Sequence, residues 1–136
     1  MPRDRIRFCF PPMQQMGSMH SKLQLLKYEA YMRIVVPTGN LMSHDWGETG
    51  TMENVRVLFG RRWEAASADR GVWQMVFIID LPKFQTAEER DAQELTPFAE
   101  DMLYFLQAQG LDDKLLASLR NYDVSETARY QFVHTM

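Results

Sequence analysis

Apolar and polar positions alternate in five stretches of this chain, and a period of two predicts a strand in each. Arg5 to Phe10 sets Ile6, Phe8 and Phe10 on one face and Arg5, Arg7 and Cys9 on the other, and Pro11-Pro12 stops it. From Leu26 to Val36 the even positions Leu26, Tyr28, Ala30, Met32, Ile34 and Val36 alternate with Lys27, Glu29, Tyr31, Arg33 and Val35, up to the turn Pro37-Thr38-Gly39-Asn40. Met19, Leu23, Leu26, Ala30 and Ile34 also fit a helical stripe, but the strand accounts for more positions. Val55, Val57, Phe59 and Trp63 alternate with Asn54, Arg56, Arg62 and Glu64, and Gly60 suggests a bulge. Ala68-Asp69-Arg70-Gly71 reads as a hairpin turn into Val72–Leu81, which is apolar on both faces and is therefore the expected central strand. Ala128 to Thr135, with Tyr130, Phe132 and His134 in phase, reads as a closing strand.

Between the last two strands the period changes to that of a helix, and the helix ends are marked by residue chemistry. Thr86 and Glu89 have capping-box spacing, and Thr96 before Pro97 pairs an N-cap hydroxyl with the residue favoured at the first helical position. Phe98, Met102, Phe105 and Leu106 form one helical face, and Gly110 is placed to end that helix. Leu115, Leu116, Leu119 and Tyr122 predict a shorter amphipathic helix. The order implies an α+β fold: a mainly antiparallel sheet of about five strands with two to three C-terminal-half helices packed on one face. A helix at residues 19–34 would instead give the ferredoxin-like β-α-β-β-α-β arrangement.

Composition changes this picture little. The 136 residues suit a single α+β domain spanning 1–136, and 46% hydrophobic with 24% charged residues is the balance of a globular chain. A net charge of −3 offers no overall field for a polyanion, which argues against nucleic acid as a partner. Cys9 is the single cysteine, so no intrachain disulfide forms, and a reducing, cytoplasmic setting is expected. The N-terminal residues lack the apolar run of a secretory signal, and no stretch approaches the ~20 residues of a membrane span, so no membrane partner is expected.

Candidate chemistry is sparse. The loop Ser43-His44-Asp45-Trp46-Gly47-Glu48-Thr49-Gly50 brings a histidine and two carboxylates together, and His44, Asp45 and Glu48 are the candidate catalytic residues through shared-proton chemistry. Their spacing fits no catalytic or calcium-loop signature, so a polar turn anchored by Trp46 is the simpler account. Its length, from Pro37 to Glu53, exceeds what a tight hairpin needs. Cys9, Met13, Met16, Met19 and His20 are soft ligands of the kind that select Cu(I), but a chain with ten methionines reaches that spacing easily, and no metal or cofactor is expected. Arg70-Gly71 before the central strand resembles an RNA-recognition entry without the stacking aromatics, since Val72 and Gln74 stand in their places. His20 and His134 have no evident sequence partner. Arg61, Arg62 and Lys83, and the acidic stretch Glu88–Glu94, read as solvated surface.

The resulting expectation is a non-catalytic protein–protein interaction or assembly subunit of a larger complex or viral particle, most simply a homo-oligomer. Trp46, Val76, Ile78, Tyr31 and Arg33 would supply its interface, with Val76 and Ile78 on the second apolar face of the central strand. The alternative is a small α+β enzyme or ligand-binding domain with a pocket between sheet and helices, using His44 and Asp45.

Overall fold

A computed structural model describes residues 6–9, 20–40, 54–59 and 73–134, with 54–59 and 73–74 described by their backbone. The fold is α+β, and the chain divides into two compact units, His20–Leu81 and Met1–Met19 with Pro82–Met136.

The first unit is a four-stranded sheet of β1 (Gln24–Lys27), β2 (Tyr31–Pro37), β3 (Asn54–Phe59) and β4 (Trp73–Pro82), in the spatial order β1-β2-β4-β3. The strand expected from Leu26 to Val36 is in fact a hairpin. β1 runs antiparallel to β2 with Lys27 opposite Met32, and Glu29-Ala30 makes the turn, where the Tyr28 N–H donates to the Tyr31 carbonyl at 2.9 Å. Nothing between Tyr28 and Tyr31 is a glycine, proline or asparagine, so the reversal carries no local sign. The alternation also passes through the turn unbroken although the faces exchange parity there: Leu25 lies opposite Ile34, and Leu26 opposite Arg33. With both segments in strands, residues 19–34 form no helix, and the ferredoxin-like arrangement is not obtained.

β4 is interior to the sheet, as its two apolar faces suggest. The Thr38–Met75 and Arg33–Asp80 pairs run in opposite directions along β2 and β4, which makes this pairing antiparallel. Met32, Ile34 and Leu81 share one face and are fully buried. β3 pairs parallel to β4, Asn54 opposite Trp73 through Phe59 opposite Ile78. The hairpin expected at Ala68–Gly71 is thereby excluded as the link between them, because a tight turn joins only antiparallel neighbours and parallel strands need a crossover of about a dozen residues or more. Residues 60–72 supply that length. Gly60 and the Ala68–Gly71 segment lie outside the described residues.

The second unit contains α1 (Ala87–Ala92), α2 (Pro97–Ala108), α3 (Asp113–Leu119) and a 3-10 turn at Ser125–Arg129. The caps match the sequence reading. The Thr86 hydroxyl accepts from the Glu89 N–H while the Glu89 carboxylate accepts from the Thr86 N–H, and Thr96 caps α2 ahead of Pro97. Asp112 caps α3 through the Leu115 N–H. α2 ends in a Schellman motif: Gly110 has φ 83°, its N–H reaches the Gln107 carbonyl and that of Leu111 reaches Leu106. Phe98, Ala99, Met102, Phe105 and Leu106 form its buried face, as the helical period requires.

Among the described residues, two expected strands do not form. Ile6 to Cys9 lie exposed and outside the sheet, with Ile6 at 38% and Phe8 at 71% exposure, since alternation makes a strand only where an edge is present to pair with. Ala128 to His134 likewise joins no sheet. Its alternation is real, because Phe132 and His134 are half-buried while Gln131 and Val133 are exposed, but the inward side chains dock on a helix. The Phe132 ring centre lies 5.3 Å from that of Phe98 and 5.6 Å from that of Phe105. In the same unit the buried Thr127 hydroxyl donates to the Val124 carbonyl and so accepts from the Thr96 hydroxyl, which itself accepts from the Ala99 N–H. One chain of hydrogen bonds thus ties the α2 cap to the 3-10 turn.

Candidate active site

The β1–β2 register brings several polar residues to one end of the sheet. β1 begins at Gln24 opposite Val35, so the chain enters β1 after His20 and Lys22 and leaves β2 before Asn40 at the same end of this strand pair. The same end holds the start of β4, where the Thr38 N–H donates to the Met75 carbonyl at 2.8 Å, and the start of β3 at Asn54, opposite Trp73. His20 and Asn40 are exposed and Lys22 is half-buried, and the Lys22 ammonium donates to the His20 carbonyl at 3.1 Å.

This set has a definite chemical capacity. An imidazole can carry a proton or offer a lone pair near neutral pH, an ammonium is a compact charge for a phosphate oxygen, and a primary amide adds neutral donors. In the sequence His20 reads as a soft metal ligand or as a histidine without a partner, and neither reading draws in Lys22. The signal that could have found it is the His20-Ser21-Lys22 spacing immediately before a strand.

At the opposite, hairpin end lie Tyr31 and Arg33. The Arg33 guanidinium makes two bonds to Asp80, Nε to Oδ1 at 2.7 Å and Nη2 to Oδ2 at 2.8 Å, and sits 5.5 Å from the Tyr31 ring centre. Tyr31 stacks on Tyr28 at 4.6 Å. Hydrogen bonding from Arg33 holds the Asp80 carboxyl below its ordinary value, ahead of the opposing effect of desolvation. A depressed carboxyl stabilises the fold above its unfolded pKa of about 3.9, and that contribution is lost as pH falls through the folded value. The stability gap between the native chain and Asp80→Asn should therefore be constant from neutral pH to about pH 5 and close below about pH 4. Urea titrations across that range check it, and a gap that widened on acidification would refute the pairing.

Val76 is buried within the chain itself, and Ile78 is half-buried. Cys9 is exposed, in the other unit from His20. His44, Asp45, Trp46, Glu48, Met13, Met16 and Met19 lie outside the described residues. Among the described residues no three His, Cys, Asp or Glu side chains come together as a metal site would need, and no helix is long and apolar enough to cross a membrane. In the helical unit a groove of about 400 Å³ is lined by Pro97, Phe98, Asp101 and Gln131–His134. His134 Nδ1 is buried there without a hydrogen-bond partner.

Comparison with known families gives one match, to the model described as tyrosyl-DNA phosphodiesterase, over residues 1–136. No curated protein and no solved structure matches. The family match overturns the expectation of a non-catalytic assembly or interaction subunit, because the family is described by an enzymatic activity, and it equally overturns the exclusion of nucleic acid. The charge argument failed because net charge is a sum over the chain, whereas a phosphate meets only local groups. The excess of acid lies wholly in the helical unit, with eight basic and eleven acidic residues, while His20–Leu81 has seven of each. Matched along its entire length, the chain belongs to the tyrosyl-DNA phosphodiesterase family.

Proposed function

We propose that this chain cleaves a phosphodiester joining a tyrosine side chain to DNA, and that His20, Lys22 and Asn40 are the residues that act on the phosphate. The family match over the whole chain carries the reaction class. The choice of residues is supported by the antiparallel β1–β2 pairing, which puts the entry into β1 after Lys22 and the exit from β2 before Asn40 at one end of the sheet. Cleavage transfers the phosphoryl group from the tyrosyl oxygen ultimately to water, releasing tyrosine and leaving the phosphate on the DNA. Such transfers depend on positioning and on stabilising charge on the non-bridging oxygens. In this reading the Lys22 ammonium and the Asn40 amide hold those oxygens, and the His20 imidazole does the bond-making or proton-moving work at phosphorus.

His44 and Asp45 are the second acid–base candidates. The segment that contains them leaves the sheet after Asn40 and re-enters at Asn54, and both of those points lie at the His20 end. The test is incubation with an oligonucleotide bearing a terminal phosphotyrosyl group at either end. Mass spectrometry should detect free tyrosine and a phosphate-terminated oligonucleotide, and release from neither end would refute the proposal.

A further inference from the structure

The exit of β2 is fastened to β4 by a side chain as well as by the backbone. One residue past Pro37, the Thr38 N–H donates to the Met75 carbonyl at 2.8 Å, and the Met75 N–H donates back to the Thr38 hydroxyl, also at 2.8 Å. The hydroxyl in turn lies 3.3 Å from the Met75 carbonyl, a longer contact. Within an antiparallel ladder the returning N–H is normally received by the backbone carbonyl of the paired residue. With the Thr38 hydroxyl in that role, the backbone can bend away from the sheet at Thr38-Gly39 without leaving the Met75 N–H unpaired. Gly39 is buried and Asn40 emerges exposed two residues after the fastening.

We infer that Thr38 is a positioning residue for the phosphate site, its hydroxyl fixing the point at which the chain toward Asn40 leaves the sheet, at the end where His20 and Lys22 lead into β1. The inference rests on the site proposed above. It follows from geometry: two bonds from one residue fix both the position and the direction of the departing chain, and Asn40 lies too close in sequence for that constraint to relax before it. A misplacement of about 1 Å in a group that holds a reacting phosphate can cost about 100-fold in rate. Substrate binding, shared with the rest of the DNA contact, should suffer much less.

The test compares Thr38→Val, which keeps the shape and removes the hydroxyl, with Thr38→Ser, which keeps the hydroxyl. On a tyrosyl-oligonucleotide, Thr38→Val should lower kcat by about tenfold to 100-fold with KM changed by no more than about twofold. Thr38→Ser should restore most of the turnover. Hydrogen exchange at the Met75 amide gives a readout independent of activity: slow in the native chain and in Thr38→Ser, fast in Thr38→Val. Normal turnover in a folded Thr38→Val, or a Thr38→Ser as impaired as Thr38→Val, overturns the inference. Should Thr38→Val fail to fold, rapid Met75 exchange in the native chain would overturn it without any variant. An active native chain, an inactive His20→Ala and a normal Thr38→Val refute the fastening alone. A His20→Ala as active as the native chain refutes the site itself, and this inference with it.

Discussion

Substitution of His20 by alanine is expected to lower cleavage of a tyrosyl-oligonucleotide by about 10²–10⁴-fold, the range over which positioned proton transfer contributes to catalysis. The loss should appear in kcat, because in the proposed reaction the imidazole acts on bonds that change in the transition state. His20 is exposed and belongs to no regular strand, so its removal creates no cavity and should leave the melting temperature nearly unchanged. Lys22→Ala should also impair the reaction, with a different signature. A cation on a non-bridging oxygen binds the phosphate in the ground state and more strongly in the transition state, so KM should rise as well as kcat fall. The pair of variants, assayed at matched salt with circular dichroism as the folding control, decides the matter. A His20→Ala protein within about threefold of native turnover would move the chemistry to His44 and Asp45.

The largest stability effect is expected in the helical unit, at Phe105. Its ring is 6% exposed and its centre lies 5.6 Å from that of Phe132 and 5.5 Å from that of His134. Truncating a buried phenylalanine forfeits its transfer free energy and leaves a void, at a typical cost of about 3–5 kcal/mol. Phe105→Ala should lose that much in urea unfolding and should also release the final residues, because Phe132 and His134 dock against this ring rather than on a strand. The release is separately observable as faster proteolysis near the C-terminal end of the described residues. A loss below about 1 kcal/mol would show that the docked segment contributes little to the fold.

Helices were more legible than strands in this sequence, and the reason is where the determinants sit. Thr86, Glu89, Thr96, Pro97 and Gly110 act within one turn of the residues they cap, so their meaning can be read from neighbours along the chain. Strand pairing depends on residues far apart. The alternation at Ile6–Phe10 and at Tyr130–His134 was present in the sequence, yet alternation does not state whether an edge, a helix or solvent lies opposite. The same limit hid the turn at Glu29-Ala30 and made β3 and β4 look like a hairpin.

For function the gap was wider. Net charge, read over the whole chain, concealed that the His20–Leu81 unit is electrically balanced, and the loop with the most reactive composition drew attention from the plainer His20-Ser21-Lys22. His20 and Lys22 are twenty and eighteen positions from Asn40, and only the folding of β1 back on β2 brings the entry to one strand and the exit from the other to the same end.

By itself, then, the sequence determined the α+β class, helices in the C-terminal half with the caps at Thr86 and Thr96 and the stop at Gly110, and the interior place of the apolar strand Trp73–Pro82, because each depends on local chemistry or on the apolar content of one segment. The tertiary structure alone decided the strand order, the parallel register of β3, the docking of Phe132 on α2 and the placing of the start of β1 beside the end of β2. Each of these is a relation between distant segments, and its free energy exists only once both partners have been brought together.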